Sequence, residues 1–176
     1  MERQAYDLKV CIDNLCGKDL LKFFANNFNQ RLLLQKSTYL LQCWGIDLGF
    51  RYNWYIRGPY CPDLTAQAFD ISEYYEEYSQ ACNKLELTES VKQTIEKFKK
   101  WISQNKPEGM NSTDWQELLA SIHYIQHRTY LEDKNREKVA DFLLMKKNWY
   151  TKAQVLHAYD VLAKSGLITN EVNTLS

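Results

Sequence analysis

Arg31-Leu32-Leu33-Leu34-Gln35-Lys36-Ser37-Thr38-Tyr39-Leu40-Leu41-Gln42 continues through Gly45 and Gly49 into Phe50-Arg51-Tyr52-Asn53-Trp54-Tyr55-Ile56-Arg57-Gly58-Pro59-Tyr60-Cys61-Pro62-Asp63-Leu64. The first part reads as a helix over 30–44 whose apolar side chains girdle most of its circumference: Leu33, Leu40 and Trp44 on one side, Leu34 and Leu41 beside them, Leu32 and Tyr39 further round. Such a helix belongs in the middle of a core. Its remaining polar stripe, Arg31, Gln35, Thr38 and Gln42, is expected to meet solvent or another chain segment. The second part alternates Phe50, Tyr52, Trp54 and Ile56 with Arg51, Asn53, Tyr55 and Arg57, the period of a half-buried strand with its even positions inward. Gly58-Pro59 is expected to end that strand. Pro62 at a first helical position, Asp63 beside it and Cys61 at the cap open the next helix.

Outward from this stretch the pattern is helical. Two short helices are expected between Ala5 and Phe28, broken near Cys16-Gly17, with Asn29 available to cap the central helix. One helix is expected over 62–82, with Leu64, Ala68, Ile71, Tyr75 and Tyr78 inside. Another begins after Thr88, burying Val91, Ile95, Phe98 and Ile102. Thr113 with Gln116 reads as a capping box for a helix lined by Trp115, Leu118, Leu119, Ile122 and Ile125. Asp133 or Asn135 starts a helix over 136–147. Thr151 with Gln154 caps the last, 152–164, which Gly166 and Leu167 close. The tail beyond Ile168 is polar and expected to fray. The fold class is therefore mainly α.

With 176 residues, 45% of them apolar, one domain is the default. The segment 105–111, with Pro107 and Gly109, is the clearest linker. It divides a helical core with the strand unit (1–104) from a C-terminal helical part (112–176) packed on it. Lys plus Arg and Asp plus Glu number 22 each, so no net field steers the chain toward nucleic acid or an anionic membrane. Five cysteines in no repeated spacing, without a leader of export type, fit a reducing cytoplasm. No apolar run is long enough to span a bilayer.

The candidates for chemistry are few. Cys11, Cys16, Cys43, Cys61 and Cys82 lie in the first half and His123, His127 and His157 in the second, with nothing local joining a thiol to an imidazole. His123 and His127 stand four apart on one helix, a metal-compatible spacing, but no glutamate lies between them and no third ligand is evident. There is no phosphate loop and no nucleophile elbow. No catalytic residue, metal or cofactor is assigned, and the chain is read as non-enzymatic. For nucleic acid there are two footholds: Arg51 and Arg57 flanking Tyr55 on the outer strand face, and the last two helices as a helix-turn-helix with a stub of wing, presenting Lys152, His157, Asp160 and Lys164. The acidic, tyrosine-rich Glu73-Tyr74-Tyr75-Glu76-Glu77-Tyr78 would repel phosphate while offering amphipathic anchors to a protein.

Three segments also resemble a known family. Leu34 to Gln42, Gly45 and Arg57 to Leu64 are similar to the pattern of the Panacea domain, the group that includes SocA-like antitoxins, and the YwgA-like proteins look similar too. Asp114-Trp115-Gln116-Glu117-Leu118-Leu119-Ala120-Ser121 resembles a Trp-Leu-Glu-Leu segment of the YwgA-like group. Cys61 stands where a serine cap is usual, Gln116 replaces an aliphatic residue, and the portion after Tyr130 has no counterpart. The resemblance implies a mainly helical protein with a small β-hairpin, in families tied to toxin neutralisation, proteolytic adaptor roles and mobile elements.

The expectation is thus a mainly-α, compact helical domain with a small β-hairpin, a winged-helix-like arrangement remaining open. It would act as a protein-interaction module, antitoxin or adaptor-like, touching its partner through Arg51, Tyr55, Arg57, Gly58, Pro59, Tyr60, Glu73, Tyr74 and Glu77. The alternative is a winged-helix-like nucleic-acid binder using Arg51, Arg57, Lys152, His157 and Lys164.

Overall fold

The central apolar helix lies where its girdle demands. In the computed structural model, which describes residues 3–169, α3 (Phe28–Cys43) packs against elements from both halves of the chain. Before it come α1 (Arg3–Cys16), α2 (Asp19–Lys22) and a 3-10 turn, Phe24–Asn26. After it come β1 (Asn53–Tyr55), β2 (Gly58–Tyr60), α4 (Pro62–Glu73), α5 (Tyr75–Cys82), α6 (Glu89–Asn105), α7 (Ser112–Arg128), α8 (Arg136–Lys146) and α9 (Lys152–Lys164). The most extensive packing is α3 against α7, across the 106–111 connection, and one hydrophobic core runs through both halves. Trp115 is wholly buried, its indole N–H donating to the Ile102 carbonyl at 3.0 Å, which ties the start of α7 to the end of α6. Among the described residues no helix is long and apolar enough to cross a membrane.

Local chemistry accounts for the helix ends. The Cys61 sulfur accepts the Leu64 N–H, Thr88 accepts that of Val91, Asn135 that of Lys138, and Thr151 with Gln154 forms a reciprocal capping box. Gly166, at φ +77°, closes α9 with the Leu167 N–H on the Leu162 carbonyl and the Gly166 N–H on the Ala163 carbonyl, a Schellman pair. Two caps fall elsewhere than expected. Asn27, two residues before Asn29, caps α3, and Asn111 caps α7 through the Asp114 N–H, leaving Thr113 buried inside that helix. The helix expected over 62–82 breaks at Tyr74, which ends α4 and begins α5, although all five expected inner residues are buried. The expected fraying lies outside the described residues apart from Thr169.

The strand expected over 50–56 is shorter, and Gly58-Pro59 does not terminate it. These residues begin the returning strand: Asn53, Trp54 and Tyr55 pair antiparallel with Tyr60, Pro59 and Gly58, leaving Ile56-Arg57 as a two-residue turn. The turn takes Ile56 out of the alternation, and it stands 75% exposed while Phe50 is buried. Three residues per strand do not hold together alone in water. The polar stripe of α3 supplies the hold. Gln42 accepts the Phe50 N–H and donates to the Phe50 carbonyl, both at 2.9 Å. Gln35 does the same for Cys61, accepting its N–H at 2.9 Å and donating to its carbonyl at 2.8 Å. Two glutamines, two helical turns apart on one face, clasp the hairpin segment at entry and exit as a neighbouring strand would.

Gln35→Ala leaves a buried N–H and a buried carbonyl of Cys61 without their partner, so we expect a loss of about 2–4 kcal/mol of stability in urea unfolding, against under about 0.5 for the exposed Gln80→Ala. Equal losses for the two variants would show that the clasp carries no special weight.

Candidate functional site

Beneath the hairpin lies a buried polar cluster. Glu117 of α7, with no exposed side-chain surface, receives the Lys147 ammonium on Oε1 at 2.7 Å, the Arg57 Nε on Oε2 at 2.7 Å and the Tyr150 hydroxyl on Oε1 at 3.2 Å. Arg57 also approaches Asp114 at 3.7 Å and lies over the Trp149 ring, 5.1 Å from its centroid. Lys36, buried on α3, donates to the Pro59 carbonyl at 2.6 Å. Burial, the neighbouring Lys147 and Arg57 together outweigh the pull of Glu117 and push the Lys36 ammonium down to about 7. Burial likewise lowers Lys147 from an ordinary lysine, against the pull of Glu117.

Gly58 completes the packing. It sits at φ +87°, and a Cβ there would come within 2.5 Å of the Ser121 hydroxyl oxygen, which is buried without a hydrogen-bond partner. Only glycine allows both the left-handed turn and this approach of hairpin to helix.

Above the cluster opens a groove of about 700 Å³ between α3, α4 and the hairpin tip. Its rim carries apolar side chains turned to solvent: Phe28 (61% exposed), Tyr55 (59%), Ile56 and Phe69 (42%). Tyr55 and Tyr60 lie with ring centroids 5.4 Å apart along the hairpin. Arg31, Arg57 and the buried Lys36 are the charged residues of the lining, which holds no carboxylate among the described residues.

The residues singled out from sequence are sorted by this geometry. Tyr55, Arg57, Gly58 and Tyr60 line the groove; Pro59 does not. Gly58 and Pro59 are buried against α7 and α3, so they anchor the hairpin rather than project from it. Arg57 is not a free strand cation but a partner of Glu117 and Asp114. Glu73, Tyr74 and Glu77 are exposed at the α4–α5 break and line no described pocket. Arg51 lines a second pocket on the other side.

Most of the outward polar residues of the last two helices are engaged by neighbours. Lys152 is held by Glu137 at 2.9 Å and Asp141 at 3.1 Å, and Asp160 by Arg136. The His157 ring stacks on Trp115 and its Nε2 meets the Asn105 carbonyl at 2.9 Å. Lys164 is exposed. No strand follows α9 among the described residues, and the hairpin sits on α3 and α7.

One pair that sequence left unconnected does meet. The Cys43 sulfur lies 3.5 Å from His123 Nδ1, which also contacts the Tyr39 hydroxyl at 2.8 Å. Burial pushes the thiol up to about 12 and the imidazole down to about 3, the reverse of an activated thiolate–imidazolium pair. The rings of His123 and His127 are 4.4 Å apart, yet among the described residues no three His, Cys, Asp or Glu side chains are placed to share a metal ion. What sequence reasoning missed was Lys36, Glu117 and Lys147. The available signal was a lysine inside an otherwise apolar girdle, which demands buried partners.

The chain matches no family model, no curated protein and no solved structure.

Two expectations follow from the cluster. Gly58→Ala should lose about 1–3 kcal/mol from the left-handed backbone and the clash, and adding Ser121→Ala should restore the clash portion only, because that hydroxyl has no partner to lose. Lys36 titrates near 7 folded and near 10.5 unfolded, so the unfolded chain binds more protons between those values and its contribution to stability rises with pH. The stability of the wild type minus that of Lys36→Met should therefore climb between about pH 7 and 10, by at most about 1.4 kcal/mol per unit. A difference flat with pH in urea unfolding would contradict the burial of that ammonium.

Proposed function

We propose that this protein is a non-enzymatic interaction module that captures a protein partner in the groove beside the hairpin tip, in an antitoxin or adaptor-like role. The observation that carries this reading is the convergence of Phe28, Tyr55, Ile56 and Phe69, all exposed, on one groove whose base is rigidly held. Contiguous exposed apolar surface next to a polar rim is the mark of a protein-binding patch. The support beneath it serves binding as well. A tip fixed by the Glu117 ion cluster and two glutamine clasps loses little freedom when a partner arrives, so more of the contact energy remains as affinity. The resemblance to the Panacea group supports the antitoxin or adaptor role, since the segments that carry it, 34–42 and 57–64, build the groove wall and its anchor. Binding of nucleic acid by the last two helices draws less support, because Lys152 is already held by Glu137 and Asp141, which leaves Lys164 as the exposed lysine of α9.

Affinity purification of the tagged chain from its native cells should recover one protein in stoichiometric amount. Ile56→Asp and Tyr55→Ala, both at exposed positions, should weaken its binding at least about tenfold, or about 1.4 kcal/mol, without lowering the melting temperature. A partner that binds the two variants as tightly as the wild type would overturn this use of the groove.

A further inference from the structure

On the face of the hairpin away from the groove lies a pocket of about 610 Å³, formed by α3, the 47–53 segment and the C-terminal end of α7. Two guanidinium groups line it, Arg51 and Arg128, and neither has a hydrogen bond or ion pair among the described residues. That sets them apart from Arg57 and Arg136, which are bound to carboxylates. The one carboxylate of the lining, Asp47, is exposed and accepts the Gly49 N–H through Oδ1 at 2.8 Å. Between the cations stand three tyrosines: Tyr39 packs edge-on against Tyr52 with centroids 5.0 Å apart and tilted against Tyr124 at 6.3 Å. The Tyr52 hydroxyl oxygen is buried with no hydrogen-bond partner, in a chain that otherwise pairs most of its buried polar atoms.

We propose that this pocket binds a phosphate ester bearing a planar ring, that is, a nucleotide, either free or as part of a strand. Guanidinium is the side chain whose fork matches phosphate oxygens bidentately, and two of them exceed the single lining carboxylate. Tyrosine walls suit a flat ring. His123, held neutral by burial, adds a polar group to the lining without a competing charge. The site does not depend on the apolar groove, and neither reading stands or falls with the other.

The test is titration calorimetry of the full chain at low salt with inorganic phosphate, adenosine and uridine monophosphates, and a twelve-residue oligothymidylate. At least one monophosphate should bind tighter than inorganic phosphate, and Arg51→Ala with Arg128→Ala should weaken it at least tenfold at unchanged melting temperature. The double lysine variant should bind between the two. Oligothymidylate binding tighter than the monophosphates, and falling with salt, identifies the ligand as a strand; equal or weaker binding identifies it as a free nucleotide. No binding of any probe at millimolar concentration, a monophosphate no tighter than inorganic phosphate, or binding indifferent to loss of both arginines overturns the proposal.

Discussion

The carboxylate of Glu117 is the point on which the two halves of this molecule converge. It is fully buried, and a buried carboxylate is tolerated only when its lone pairs are filled. The groups that fill them come from three places: Arg57 from the hairpin turn, Lys147 from the end of α8, and Tyr150 from the turn that follows. Removing any one of them leaves charge or polarity stranded in the interior. The ion cluster thereby fixes the register of elements far apart in sequence, a role that apolar contacts, being non-directional, fill less well.

From that constraint the rest of the hairpin follows. Its strands are too short to persist on their own pairing, so they borrow order from α3, through Gln35 and Gln42 at the ends and Lys36 at Pro59. The central helix thus doubles as a hydrogen-bonding edge. Because the base is so tightly held, the exposed tip, with Tyr55 and Ile56, is displayed in one position. The same anchoring divides the surface into an apolar groove on one side and an arginine- and tyrosine-lined pocket on the other.

Legibility in the sequence was uneven for physical reasons. The helices were readable because their apolar periods and most of their caps are local: Thr88, Asn135, the Thr151–Gln154 box and Gly166 all act within one turn. The candidate site was half readable. Tyr55 and Tyr60 do line the groove, whereas Phe28 and Phe69, from helices before and after the hairpin, passed as ordinary helix residues. The lysines at 36 and 147 passed as unremarkable because their partners, the Pro59 carbonyl and the Glu117 carboxylate, lie far away in sequence.

The sequence by itself determined most of the helical segments, that α3 is central, and that an aromatic strand follows it. Those are properties of periodicity and of single residues' backbone preferences, which act over a few positions. Only the tertiary structure decided that Gly58-Pro59-Tyr60 is a strand, that the polar stripe of α3 is a clasp, that Cys43 meets His123, and that Arg57 is bound to carboxylates while Arg51 has no hydrogen bond or ion pair among the described residues. Each of those depends on pairing groups that the chain brings together only when the core closes, and pairing decides whether a polar side chain is a structural tie or an open binding group.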